Sequence, residues 1–186
     1  MKSEIEARLL ECDTQNILTK LKENNATFAG DWLQLRYCYD FNPVQKNSWI
    51  RLRTNGIETT LTIKEIQSSK IDGTKESEIV VSDFHTADEI LNKLGYTARS
   101  KQENRRIRFY LDNVEIDIDF WPMIPAYIEF EANSENEIKS VCEKLGINFN
   151  SLTTLDVQSI YEKYGLNINN MPEILLENEK KCTFEI

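Results

Sequence analysis

A single histidine, His85, stands among 186 residues. That leaves little for a His-ligated zinc or a Ser-His-Asp triad, each of which needs imidazole in a defined constellation. His85 precedes a helix expected to begin near Thr86 and reads as a surface residue. Cys12, Cys38, Cys142 and Cys182 are scattered, with no C-x-x-C spacing. Neither a zinc cage nor a redox pair follows from them, and buried free thiols in a reducing cytosol fit best. Positive charge is also in deficit, with 22 Lys and Arg against 31 Asp and Glu and a net charge of -9. A nucleic-acid binder needs a basic footprint to meet phosphates, so no nucleic-acid partner is expected, although an internal basic site is allowed. No run approaches the roughly 18 apolar residues of a membrane span, and no signal-peptide core is visible. A cytoplasmic protein without a membrane partner is expected. Neither a repeat nor a linker divides the chain.

What is present is alternation. The stretch 114–131, VEIDIDFWPMIPAYIEFE, holds two strand-like runs around a proline-bounded bend. Residues two apart in a strand share a face. Asp117 and Asp119 therefore lie together, as do Glu129 and Glu131, while Ile116, Ile118, Ile128 and Phe130 lie opposite. Taken alone, the stretch fits an amphipathic strand pair with its acids in water. Residues 3–10 repeat the pattern, with Glu4, Glu6 and Arg8 against Ile5, Ala7 and Leu9. Asp13 caps a helix reaching about Asn24, and an aromatic-rich strand follows over 27–41. Strands at 49–53 and 58–65 flank Asn55-Gly56, a two-residue hairpin signal, and place Arg51 with Arg53 and Thr62 with Lys64. Residues 75–81 bring Glu76 and Glu78 together, 86–94 form a helix closed by Gly95, and 96–111 return to strand with Arg106 and Arg108 on one face. Ser134 and Glu137 form a capping box, and a last helix spans 156–164. Residues 1–165 make one domain, and 166–186 a tail expected to be partly loose.

Seven candidate strands thus set charges on one face and aliphatic residues on the other, while the helices supply apolar stripes. If the sheet curls with its apolar face under the helices, the charges line a shared interior. Unpaired buried charges carry penalties of several kcal/mol each, so something charged must fill that interior. A polyphosphate with divalent cations does so, because arginine and lysine meet phosphate oxygens and carboxylates hold a hard cation.

These residues resemble a known family. Glu4-Ile5-Glu6-Ala7-Arg8 is similar to the E-x-E-x-K signature of the CYTH superfamily, the triphosphate tunnel metalloenzymes that include class IV adenylate cyclases and thiamine triphosphatases. Arg51-Leu52-Arg53, Thr62-Ile63-Lys64, Glu76 to Glu78, Arg106, Asp119 and Glu129-Phe130-Glu131 follow in the family's order, and Trp121-Pro122 through Glu131 resembles the bacterial class IV cyclase-like branch. Two departures stand out: Arg8 replaces the signature lysine, and Asn104 stands where many members carry a base. The resemblance implies an α+β fold, an eight-stranded antiparallel β-barrel with helices packed outside. It implies Mg2+ or Mn2+ on Glu4, Glu6, Asp119, Glu129 and Glu131, and triphosphate on Arg8, Arg51, Arg53, Lys64, Arg106 and Arg108. The catalytic set would be Glu4, Glu6, Arg8, Lys64 and Arg106, supported by Glu76, Glu78 and Asp117. Its partner would be a small triphosphate such as ATP, thiamine triphosphate or tripolyphosphate, and the protein a monomer or homodimer. Hydrolysis by water fits this set with the fewest features. Cyclisation of ATP to cyclic AMP and pyrophosphate uses the same phosphate site, and a non-catalytic polyphosphate-binding module is the third alternative.

Overall fold

The structure, a computed structural model, describes residues 1–177. Eight strands run β1 (Lys2–Leu9), β2 (Thr27–Tyr39), β3 (Ser48–Thr54), β4 (Thr59–Ile66), β5 (Thr74–Val81), β6 (Ala98–Leu111), β7 (Val114–Phe120) and β8 (Tyr127–Ala132). Their spatial order is β2-β3-β4-β5-β1-β8-β7-β6, and β2 pairs again with β6, so the expected antiparallel barrel closes. The closing ladder is long, from Thr27 opposite Tyr110 to Tyr39 opposite Ala98. Closure leaves each strand only two faces, one inside the barrel and one outside.

Much of the outer face is apolar and covered by helices, while Ile63 of β4 and Ile79 of β5 stay exposed. Helices α1 (Thr14–Glu23) and α3 (Glu135–Lys144) pack Ile17, Leu21, Ile138 and Val141 against Ile107, Ile116, Ile118, Ile128 and Phe130. Helix α2 (Phe84–Lys93) lays Phe84 and Leu91 over Tyr39, Ile50 and Leu52. Helix α4 (Val157–Lys163) sets Ile160 and Tyr161 against Trp121 and Tyr127 at the proline bend. Each start is fixed by a side-chain oxygen: Asp13 accepts from the amides of Gln15 and Asn16, Asp83 from Thr86, Ser134 from Glu137 and Asp156 from Ser159. Among the described residues no helix is long and apolar enough to cross a membrane, and Cys12, Cys38 and Cys142 are free thiols. Cys182 lies outside the described residues.

The structure adds local detail to the sequence reading and departs from it at the β3–β4 bend and at the start of α2. The β3–β4 bend is centred on Gly56 and Ile57, with Asn55 outside its centre. Asn55 Oδ1 accepts from the amides of Ile57 and Glu58, and only Gly56 takes a positive φ, at +84°. Asp83 starts α2 two residues earlier than expected, which places exposed His85 inside its first turn. Tyr37 and Tyr39 point outward beneath α2, where Tyr37 meets Phe84 edge-on at 4.9 Å. In the tail, a short turn at Ile168–Asn170 and a ninth strand, β9 (Glu173–Ile174), pack on the barrel; β9 lies parallel to β6, opposite Lys101 and Gln102.

Ile174 is 1% exposed and neighbouring Leu175 is 53% exposed. Ile174→Ala should therefore lower unfolding stability by about 2–5 kcal/mol, the usual range for emptying a core position. Leu175→Ala should stay within about 0.5 kcal/mol. Urea unfolding of both variants reads the difference, and equal effects would contradict the packing of β9.

Candidate active site

The inward faces enclose a cavity of about 310 Å3. Its wall includes Glu4, Glu6, Arg8, Arg51, Arg53, Lys64, Glu76, Glu78, Arg106, Arg108, Glu129 and Glu131. Period-two alternation brings these side chains together, since all but Glu76, flanked by Lys75 and Ser77, sit one residue from an outward aliphatic neighbour. The register then decides which charges meet. Arg8 lies opposite Glu129, Glu129 opposite Asp117, and Asp117 opposite Arg108, so this row crosses four strands with charges balanced.

Arg106 is the most heavily paired base. Its Nε donates to Asp119 Oδ1 at 2.8 Å and its Nη2 to Asp119 Oδ2 at 2.5 Å, with Asp117 at 2.6 Å and Glu129 at 3.2 Å. Arg8 Nη2 meets Glu6 at 2.9 Å and Glu129 at 2.5 Å, and its Nη1 donates to the Leu155 carbonyl. Despite burial, Arg8 and Arg106 hold Glu129 well below the usual carboxylate range. Lys64 Nζ lies 2.9 Å from both Glu4 and Glu76. Arg51 reaches Glu78 at 3.3 Å and Glu76 at 3.5 Å.

Two zones lack this balance. Glu6 lies directly opposite Glu131, and Glu131 directly opposite Glu115, three carboxylates in line across β1, β8 and β7. Like charges in opposed positions repel. Glu6 is relieved by Arg8 and Glu115 by Arg108, but Glu131 pairs with no described residue. Burial, followed by Glu129, Glu115 and Glu6, pushes Glu131 up to about 7. Burial raises Glu4 to about 7 as well, against the pull of Lys64. The second zone is basic. Arg51, burial and then Arg106 and Arg36 push Arg53 down to about 9, and burial with Arg51 and Arg106 lowers Arg36 to about 10.

The carboxylate row fits a hard divalent cation by its donors, all oxygen, and by its uncompensated charge. Among the described residues no three acids converge closely enough to form a finished metal site. Asp119, which the resemblance assigns to metal, is fully buried behind the cavity wall, clamped by Arg106 and by Asn104 Nδ2 at 3.0 Å. Asp117 likewise faces Arg106 and Arg108. Glu115, Tyr127 and Arg36 also line the cavity, and sequence reading passed over them. Glu115 begins the alternation that Asp117 and Asp119 continue. Arg36 was hidden in the aromatic run, although Gln34-Leu35-Arg36-Tyr37 carries the same period-two signal.

A CYTH domain model matches residues 4–159. A solved structure from Pyrococcus horikoshii OT3 superposes with a TM-score of 0.73 at 21% identity, covering 84% of this chain and 98% of that one. A candidate adenylate cyclase from Vibrio parahaemolyticus gives 0.70 at 14% identity, covering 87% and 98%. A Hippeastrum protein, a candidate adenylyl cyclase described as revealing a dominant triphosphatase activity, gives 0.58 at 14% identity, covering 89% and 97%. Among curated proteins none matches this chain.

The carboxylate row makes the metal-free protein sensitive to pH. Glu4 and Glu131 bind protons more tightly folded, near 7, than unfolded, near 4.5. Between those values the folded state holds more protons, so stability falls as pH rises through the window. In a chelator, melting temperature should drop from pH 5 to pH 8, and Glu131→Gln should flatten the drop. A wild-type profile that rises across this range would contradict the electrostatics described.

Proposed function

The chain belongs to the CYTH domain family, whose members act on triphosphates with metal ions. On that premise we propose that it is a divalent-metal-dependent phosphohydrolase acting on the triphosphate of a nucleotide, an organic triphosphate or tripolyphosphate. One observation carries the reading. A closed barrel holds, in a single cavity, a line of opposed carboxylates and a cluster of guanidinium groups that repel one another. An anionic chain of phosphates with a divalent cation relieves both.

Arg51, Arg53, Lys64, Arg106, Arg8 and Arg108 are the phosphate-side groups. Arg53 is best placed to exchange partners, since its one carboxylate contact among the described residues, Glu78, is loose at 3.8 Å. Lys64 would turn from Glu4 and Glu76 toward phosphate, freeing Glu4 to face the cation. Glu4, Glu6, Glu129 and Glu131 would hold Mg2+ or Mn2+, which when bound supplies Lewis-acid polarisation of phosphoryl oxygens. Asp119 and Asp117 act one layer behind, fixing Arg106 and Arg108 in direction. In hydrolysis, water attacks the terminal phosphorus and the bridging bond to the next phosphate breaks. The fixed bases stabilise charge spreading over the equatorial and leaving oxygens. Cyclisation of ATP is the second reading, favoured by the Trp121 to Glu131 stretch that resembles the cyclase-like branch. It uses the same phosphate groups, with a ribose hydroxyl attacking the phosphorus nearest the sugar.

Purified protein with Mg2+ or Mn2+ should release orthophosphate from at least one of tripolyphosphate, ATP and thiamine triphosphate. Cyclic AMP and pyrophosphate from ATP would decide for cyclisation, and no turnover with any pair would leave a binding module.

The two halves of the site should separate in kinetics. Glu131→Gln should chiefly lower kcat, with partial recovery at raised metal concentration. Arg53→Ala should chiefly raise KM, by the equivalent of about 1.5–3 kcal/mol for a lost charge-assisted hydrogen bond. Identical behaviour of the two variants would undo the division.

A further inference from the structure

Arg36 differs from every other base of the cavity. Arg8, Arg51, Arg53, Lys64, Arg106 and Arg108 each have a carboxylate within ion-pair distance. Arg36 has none among the described residues, although it is 6% exposed and lines the cavity. Its Nη2 donates to two amide oxygens, Gln34 Oε1 at 2.9 Å and Asn104 Oδ1 at 2.6 Å. Its Nε is buried with no acceptor. The guanidinium lies over the Trp121 ring, 4.5 Å from its centre.

This arrangement fixes the group without neutralising it. Amide oxygens orient a guanidinium and a tryptophan face accepts one, but neither carries a formal charge to balance it. Asn104 is held in turn by Asp119, whose oxygens already serve Arg106, so the amide is oriented to present its oxygen to Arg36. The nearest like charges, Arg51, Arg106 and Arg53, stand around the same space. An unpaired buried charge is strongly unfavourable unless a counter-ion arrives. The planar fork suits a tetrahedral oxyanion with two or three accepting oxygens.

We propose that Arg36 is a substrate-contacting residue of the tunnel, a phosphate-binding arginine contributed by β2, with Gln34, Asn104 and Trp121 as the groups that position it. The inference rests on the triphosphate reading above and adds to it an anion subsite built from β2 and β6. Asn104 then has a role of its own. It keeps no charge, and it aims a cation supplied by the adjacent strand.

Tripolyphosphate titrated calorimetrically into the full chain is the test. R36Q should bind about tenfold more weakly or worse, the loss of at least one charge-assisted hydrogen bond. Glutamine can still bond to the flanking amides, so empty R36Q should melt no lower than wild type. R36K keeps the charge and loses the fork, and should fall between the two in affinity. Unchanged affinity in R36Q would make Arg36 a structural residue and overturn the proposal; if R36Q does not fold, unchanged affinity in R36K overturns it equally. Wild-type protein that fails to bind tripolyphosphate would remove the proposed function together with this subsite, whereas wild-type binding unaffected by either variant would remove Arg36 alone.

Discussion

Closure of the sheet is the constraint from which the rest follows. Once β2 pairs with β6, every second residue of eight strands faces inward, and no rotation or slip can move a charged side chain out without turning an isoleucine in. Burial of the aliphatic set beneath four helices holds this state in place. The interior must then neutralise its charges among themselves. It succeeds along the row Arg8, Glu129, Asp117 and Arg108, where opposite signs meet strand by strand. It fails along Glu6, Glu131 and Glu115, and around Arg36 and Arg53. The hydrophobic exterior therefore maintains an interior that is electrostatically unsatisfied when empty.

Strand alternation is a local property, and so the faces of β1, β3, β4, β5, β7 and β8 were legible from sequence. Glu4, Glu6, Glu129 and Glu131, with Arg51, Arg53, Arg106 and Arg108, all line the cavity, whereas Arg105 faces the other way and pairs with Asp31. Depth was not legible. Asp119 and Glu131 each belong to an alternating acidic pair, yet one lies behind the wall under Arg106 and the other stands unpaired in the cavity, because register with neighbouring strands separates them. Arg36 alternates with Tyr37 and Tyr39 in an aromatic-rich run, so the charged inward face of β2 carries too few charges to stand out in the sequence. The Asn55-Gly56 bend shifted by one position because the asparagine side chain replaces a backbone acceptor there. The packing of residues 168–176 rests on Ile168, Ile174 and Leu176, spaced too irregularly to show a period.

The two zones differ in how they are held. Acids of the carboxylate row lie directly opposite one another on neighbouring strands, so backbone geometry alone maintains their repulsion. The basic zone depends instead on side-chain supports: Thr62 donates to Glu78 beside Arg51, Asn104 receives Arg36, and Trp121 floors it. A rigid acidic zone suits a small ion with demanding coordination. A basic zone of long, tethered side chains can follow a larger anion whose oxygens shift during reaction.

Strand β6 extends beyond the reach of β7, which pairs with it only from Arg105 onward. The stretch before Arg105 would present bare amides and carbonyls on that side, a ready template for a strand from another molecule. β9 occupies this margin through Lys101 and Gln102, and the Lys101 amide donates to the Pro172 carbonyl at 2.8 Å. A two-residue strand adds little to the sheet's own cohesion. Its consequence is colloidal: by covering the margin it guards the barrel against edge-to-edge association between copies.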